Sequence, residues 1–446
     1  MTDSSDLDIL SDLIARARAA GADTADAILA DGTSLSLSQR LGRPERLERA
    51  EGGDLGLRVF VGRQSAIVSS SDRSKAALAE LVERAVAMAR AVPEDSFAGL
   101  ADPGQLARSW EDLDLDDPAE PSAEDLIAAA KEAEETALAI SGVTNSEGAE
   151  AAWGRTRISL VAGNGFAGSY SRSSRSLSVS VIAGEGIGME TDYDFTSAVY
   201  AEDMEDAATI GRRAGERAVA RLGARKVASA RVPIVYDPRV AGSLLGHLTG
   251  AISGPAIARG VSFLKDRMGE ALFAPGIEIV DDPHRRRGRR SKPFDGEGIA
   301  NRRREIVSDG RLTTWLLDLR SARQLGLETT GHAARGTSSP PSPSPTNLFL
   351  QPGKDDPKAL IGGIAKGLYV TQMMGSAVNG LTGDYSRGAT GFWIENGEIA
   401  YPVNEVTVAG NLKEMFARLV PASDLTFRTG IDSPTVMIEG MMVAGR

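Results

Sequence analysis

Three histidines, at positions 247, 284 and 332, are all the imidazole in this 446-residue chain, and cysteine is absent. A neutral imidazole can ligate a metal or act as a general base, so each histidine is a candidate for chemistry. The missing thiols exclude disulfides, cysteine-ligated zinc, iron–sulfur clusters and thiol nucleophiles. His247 stands in the apolar run DPRVAGSLLGHLTGAISG, residues 237–254. No His-Glu-x-x-His pattern surrounds it, and SLLGHL is not a nucleophile elbow. His284 follows Asp281 and Asp282 just after IEIV, the pattern of a turn leaving a strand. Asp237 and Pro238 read as the cap and first turn of a helix. On that helix Val240, Leu244, His247, Leu248 and Ala251 share one face, which predicts a neutral, hydrogen-bonded core histidine.

Other stretches imitate known sites. GNGFAG (Gly163, Gly165, Gly168) has dinucleotide-loop spacing, but a strand-like alternation follows where a helix N-terminus is needed; a glycine hairpin fits better. GDYSRGAT, residues 383–390, places Ala389 where a phosphate loop needs lysine. Its polar groups Asn379, Asp384, Tyr385, Ser386 and Arg387 fit either turn caps or a ligand-contacting loop. PHRRRGRRSK, residues 283–292, with Arg302, Arg303 and Arg304 beyond it, reads as an exposed loop with solvated charges rather than a nucleic-acid patch. GTSSPPSPSPTNLFL carries Pro340, Pro341, Pro343 and Pro345, a stiff extended segment suited to a tethered surface loop or to one wall of a peptide channel.

These groups need a scaffold, and the chain is long enough for two or three domains. A net charge of -11 argues against a general nucleic-acid binder. No apolar run reaches the roughly 18 residues of a membrane span, and the polar, acidic start is unlike a signal peptide; both predict a cytoplasmic protein. Helical stripes at 6–20 and 73–91 flank alternating strands, one pair meeting at Gly62-Arg63. The acidic, proline-containing stretch 93–121 reads as a solvated connector. The helix–strands–helix order then recurs, with helices near 122–140 and 202–222 and strands over 142–195, which suggests an internal duplication. From about Val227 short apolar strands and glycine turns dominate, including VPIVYD, TTWLLDL and GFWIENGEIAYPV, with helices at 238–252, 358–367 and 411–418. The expected class is α+β. An N-terminal α/β domain spans 1–225, with antiparallel sheets and flanking helices, and an antiparallel strand-rich domain spans 226–446.

Residues 367–416 (GLYVTQMMGSAVNGLTGDYSRGATGFWIENGEIAYPVNEVTVAGNLKEMF) resemble the signature region of the TldD/PmbA family, and specifically its PmbA (TldE) branch. PFDGEG at 293–298, LLDLRSARQLGL at 316–327 and SSPPSPSPTNLFL at 338–350 are similar to further blocks of that family in the same order. The resemblance implies a TldD/TldE heterodimer, a metalloprotease that hydrolyses unfolded peptides, with zinc held by a His-Glu-x-x-x-His helix and a later cysteine in the TldD-like partner. Set against that helix, LLGHLTGA puts Gly246 at the first histidine, His247 at the glutamate and Ala251 at the second histidine. The resemblance therefore implies a chain without zinc or catalytic residues, which completes the substrate cavity; the candidates near that cavity are Asn379, Asp384, Tyr385, Ser386, Arg387 and Trp393. The alternative it implies is a regulatory binding protein, a modulator of DNA gyrase type, acting through the arginine-rich 285–304 segment.

Overall fold

The computed structural model describes residues 3–445, without the side chains of residues 3–5 and 376. Period-two alternation in the first 200 residues builds one antiparallel sheet. Helix α1 (Asp3–Ala19) leads into β1 (Thr24–Arg40), β2 (Arg43–Val61), β3 (Gln64–Ser70) and α2 (Lys75–Ala91). Then α3 (Ala123–Leu138) leads into β4 (Val143–Ala162), β5 (Phe166–Ala183), β6 (Glu190–Ala198) and α4 (Ala207–Ala220). The strand order is β3-β2-β1-β4-β5-β6, so pairing of β1 with β4 joins two three-stranded halves. Helices α1 and α2 lay Leu10, Leu13, Leu81 and Val82 against Leu55, Leu57 and Val59. Helices α3 and α4 do the same for the other half, with Leu126, Ala130, Ile210 and Ala214 on Leu177, Val179 and Val181. GNGFAG closes the β4–β5 hairpin, where Ala162 pairs with Phe166.

Local chemistry sets these boundaries. Ser74 caps α2, and Ser122 with Asp125 forms a reciprocal capping box on α3, each satisfying amides the first turn leaves free. Helix α4 starts later than the sequence suggests, because Ala201–Asp203 forms a separate 3-10 turn and Asp206 takes the cap. The 93–121 segment is not a solvated connector. Leu106, Leu113, Leu115 and Asp117 are buried, and the Ser173 amide donates to the Leu115 carbonyl at 2.8 Å.

The second half contributes β7 (Ala230–Tyr236), α5 (Pro238–Ala251), α6 (Gly254–Ala258), β8 (Ile279–Asp282), β9 (Arg304–Ser308), β10 (Arg311–Leu312) and α7 (Leu319–Leu325). It continues with β11 (Ala333–Ala334), β12 (Ser342–Pro343), β13 (Asn347–Leu350), α8 (Pro357–Gly362), β14 (Lys366–Val378) and β15 (Asp384–Glu395). It ends with β16 (Glu398–Asn411), α9 (Leu412–Ala417), β17 (Leu419–Pro421), β18 (Ile431–Asp432) and β19 (Val436–Ala444). One sheet runs β16-β15-β14-β7-β19-β17, and β16 also pairs with β19. Strands β7, β14, β15, β16 and β19 thus close into a small barrel, which removes their open edges. Its packed core holds Ile234, Tyr236, Leu368, Tyr385, Val408 and Val443. A second sheet, β10-β9-β8-β13-β18, shares that core through Ile279, Leu348 and Leu350, with Leu244, Leu245 and Leu248 of α5 between the two.

The whole is an α+β fold, strand-rich toward its C-terminal end. Two expected elements differ. TTWLLDL, residues 313–319, forms no regular strand; it buries Trp315, Leu316 and Leu317, and Asp318 caps α7, which starts at Leu319. The helix expected at 358–367 ends at Gly362, because β14 begins at Lys366. No described helix is long and apolar enough to cross a membrane.

Candidate functional site

The site is built on α5. Asp237 caps the helix by accepting the Arg239 amide at 2.9 Å, and Pro238 occupies the first turn. Ala241, Leu244, Leu245 and Leu248 bury one face, which leaves Gly246 and Gly250 exposed with open space beyond them. His247 lies half-buried between these faces, its ring edge-on to that of Tyr385 at 5.7 Å. Its Nε2 is buried without a hydrogen-bond partner, unlike the satisfied core histidine the periodicity predicts. The helix sets this ring against an aromatic neighbour instead of an acceptor. Burial first, and then the Arg387 charge, hold the His247 pKa below the ordinary value. The imidazole is therefore neutral at pH 7.

Strands β14 and β15 supply the facing residues. Tyr385 is buried beside Tyr236, with its hydroxyl 3.4 Å from the Met373 sulfur. Burial pushes its pKa up to about 12, so it stays a neutral phenol. Arg387 donates from Nε to the Gly375 carbonyl at 2.8 Å and so pins the β14–β15 hairpin. Ser386, between these two on the strand, is exposed. Asn379 and Asp384 act on the turn itself. The Asn379 side chain accepts the Leu381 amide at 2.9 Å, and Asp384 accepts from Thr382 Oγ1 at 2.7 Å and Asn411 Nδ2 at 3.0 Å. Trp393 is buried eight residues beyond Tyr385, roughly 25 Å along the strand. The structure thus gathers His247, Tyr385 and Arg387, with Tyr236 as a neighbour the motifs did not single out. Tyr236 was legible only as the inward partner of Ile234 in VPIVYD. This group can orient a ligand by hydrogen bonds and one cation, but it holds no paired nucleophile and base.

Residues 25–89, 116–222 and 229–445 match, in turn, domain 1, the central domain and the C-terminal domain of the PmbA/TldA metallopeptidases. The chain is also 39% identical over 428 residues to Metalloprotease PmbA of Escherichia coli O157:H7, covering 95% of this chain and 93% of that relative. This chain belongs to the PmbA/TldA metallopeptidase family. A Bacteroides thetaiotaomicron crystal structure described as a candidate modulator of DNA gyrase superposes with a TM-score of 0.92 at 28% identity, covering 100% of both chains. TldE from Thermococcus kodakarensis shares the fold, with a TM-score of 0.88 at 19% identity over 98% of this chain and 100% of that one.

A metallopeptidase family implies a metal, and the residues on α5 do not fit one. Gly246 offers no side chain, Ala251 presents a buried methyl, and the cation of Arg387 acts on His247. A divalent ion would meet that positive charge. Among the described residues no group of three or more histidine, cysteine, aspartate or glutamate side chains is arranged to hold a metal.

The arginine run is not a solvated loop. Arg287 reaches Asp114 at 2.6 Å and Asp203 at 3.3 Å and also pairs with Glu202, while Arg286 reaches Asp114 at 3.2 Å. Hydrogen bonds from the Tyr200 hydroxyl and from Arg287 hold the Asp114 pKa down at about 2. The acidic segment and the arginine run are each other's counterions across more than 170 residues of sequence.

A buried charge seam also went unread. Asp26 accepts from Arg58 and Arg335, and Arg58 sits 3.6 Å from Glu297. These partners lie 32 and 309 residues apart, so no local motif announces them; the one signal is Arg58 interrupting the apolar GLRVFV. Arg58, Glu297 and Asp318 border a cavity of about 530 Å³ that Pro340 and Pro341 also line. The proline segment is tethered there by β12 pairing with β11.

Proposed function

We propose that this chain is the TldE-like subunit of a cytoplasmic TldD/TldE-type metalloprotease complex, in which it holds unfolded peptides but performs no hydrolysis. One observation carries the reading: at the family's metal-motif positions α5 presents Gly246, a neutral His247 under an arginine charge, and a buried Ala251. Zinc and the general base then belong to a TldD-like partner. The neutral Tyr385 phenol and Arg387 serve the substrate cavity, with Asn379, Asp384 and Ser386 shaping its hairpin rim and Trp393 bracing the strand from the core.

The test purifies the chain alone and with a co-expressed TldD-like partner, then measures zinc content and cleavage of an unfolded peptide. The expected result is cleavage and about one zinc per heterodimer, with neither in the isolated chain. Stoichiometric zinc together with cleavage in the isolated chain overturns the proposal. The description of the Bacteroides relative favours a second reading, a regulatory protein that binds its target without proteolysis. Under that reading, charge-neutralising changes at Arg286 and Arg287 abolish target capture while leaving the complex's peptide cleavage intact.

A further inference from the structure

The arginine run has a second side, which its pairing with Asp114 does not use. Arg285, Arg287, Arg289 and Arg428 line a cavity of about 300 Å³ between the end of β6, the 285–289 loop and the 427–432 turn. Two of these cations are already neutralised: Arg287 by Asp114, Glu202 and Asp203, and Arg428 by Asp194 and Glu205. The other two are not. Arg289 Nη1 is buried without an acceptor. Arg285 lies flat on the Phe427 ring, 3.4 Å from its centroid, and no carboxylate pairs with it among the described residues.

The carboxylates in the cavity wall answer this charge only in part, because neither forms an ion pair with Arg285 or Arg289. Asp432 is committed to the backbone, accepting the amides of Arg428 at 3.0 Å, Thr429 at 2.8 Å and Gly430 at 2.9 Å. Asp203 faces Arg287. The neighbourhood adds more positive charge instead. Arg172 donates to the Arg289 carbonyl, and Arg290 spends its Nη2 on Ser344 Oγ and the Pro345 carbonyl, each at 3.1 Å. Burial lowers the pKa of Arg285, Arg289 and Arg290, and the Arg172 charge adds to this at the last two. Carboxylates oppose these shifts without cancelling them: Asp282 and Asp432 at Arg285, Asp432 at Arg289 and Asp281 at Arg290. A desolvated charge of this kind is costly unless something pairs it. Guanidinium forks match the planar or tetrahedral oxygens of carboxylates and phosphates.

We propose that this cavity binds a small oxyanion, a carboxylate or phosphate group, held by Arg285 and Arg289, with the half-exposed Phe427 ring as an apolar wall for the rest of the ligand. The anion would supply the acceptor that Arg289 Nη1 lacks.

The test titrates the full chain by calorimetry with inorganic phosphate and, separately, with succinate, at constant ionic strength held with sodium chloride. Saturable binding of either probe is expected, weakened at least tenfold in Arg289→Met and less in Arg289→Lys, which keeps the charge but loses the fork. Phosphate binding alone identifies a phosphate group as the natural partner, and succinate binding alone a carboxylate; either result supports the site. Should Arg289→Met fail to fold, Arg285→Gln tests the same loss from the rim. No saturable binding of either probe, or undiminished binding in a folded Arg289→Met or Arg285→Gln variant, overturns the proposal.

Discussion

The rings of Tyr385 and His247 meet almost at right angles, their planes 78° apart, and Arg387 lies two residues beyond Tyr385 on the same strand. Burial and the nearby cation both disfavour an imidazolium. With only three histidines, the His247 resonances are readily resolved in an NMR titration. The wild-type midpoint is expected below the ordinary histidine range, from burial and the Arg387 charge. In Arg387→Met the second cause disappears, and the midpoint moves up toward the ordinary value. An unchanged midpoint would mean that Arg387 does not reach the ring.

Helix α5 tests the metal-motif positions one at a time. Gly246 is an exposed helix-interior glycine with open space beyond its Cα. Gly246→Ala should therefore stabilise the fold by about 0.5–1 kcal/mol, the difference in helix propensity. Ala251 is 7% exposed, so Ala251→His must push an imidazole into packed surroundings and should cost about 1–3 kcal/mol. Urea unfolding of the two variants reads both signs. A neutral Ala251→His would show that the helix has room for a metal ligand after all.

What the sequence made legible follows from the range of each interaction. Alternation and helical stripes are local, and so are caps such as Ser122 and Asp237; they placed most elements to within a few residues. The position of His247 on an apolar helix was equally local, but its missing acceptor depends on Tyr385, 138 residues away in sequence, and could not be read. The same holds for charge. Read separately, the acidic 111–117 stretch and the arginine run each looked solvated; only the fold shows that Asp114 and Arg287 meet. Barrel closure through β16 and β19 likewise has no local sign.

The contact between the N-terminal sheet and the proline segment rests on a missing side chain. A Cβ at Gly56 would lie 2.0 Å from the Thr337 carbonyl oxygen, whereas one at Gly52 on the same strand would meet nothing within 4 Å. Gly56→Ala is thus expected to destabilise by about 1–3 kcal/mol or more, because backbone rather than a flexible side chain must give way. Gly52→Ala should change stability by less than about 0.5 kcal/mol. Thermal unfolding compares the pair, and equal effects would place the 337 segment away from β2.

Glu297 gives the buried seam a pH dependence with a defined sign. Burial outweighs the Arg58 guanidinium 3.6 Å away, the Asp295 charge adds to it, and the Glu297 pKa rises from 4.5 to about 7. The native state therefore binds this proton more tightly than the unfolded chain does. Its contribution to stability is complete below pH 4.5 and is lost as the pH rises through 7. In Glu297→Gln the amide oxygen can still accept the Leu319 amide, which the carboxylate holds at 2.9 Å, but nothing titrates. Between pH 5 and 8 the variant should gain about 1–3 kcal/mol relative to the wild type, at 1.36 kcal/mol for each pKa unit. Denaturant unfolding of both proteins across that range measures the difference directly. Parallel profiles would mean that Glu297 is already ionised at pH 5, with the Arg58 pairing outweighing burial.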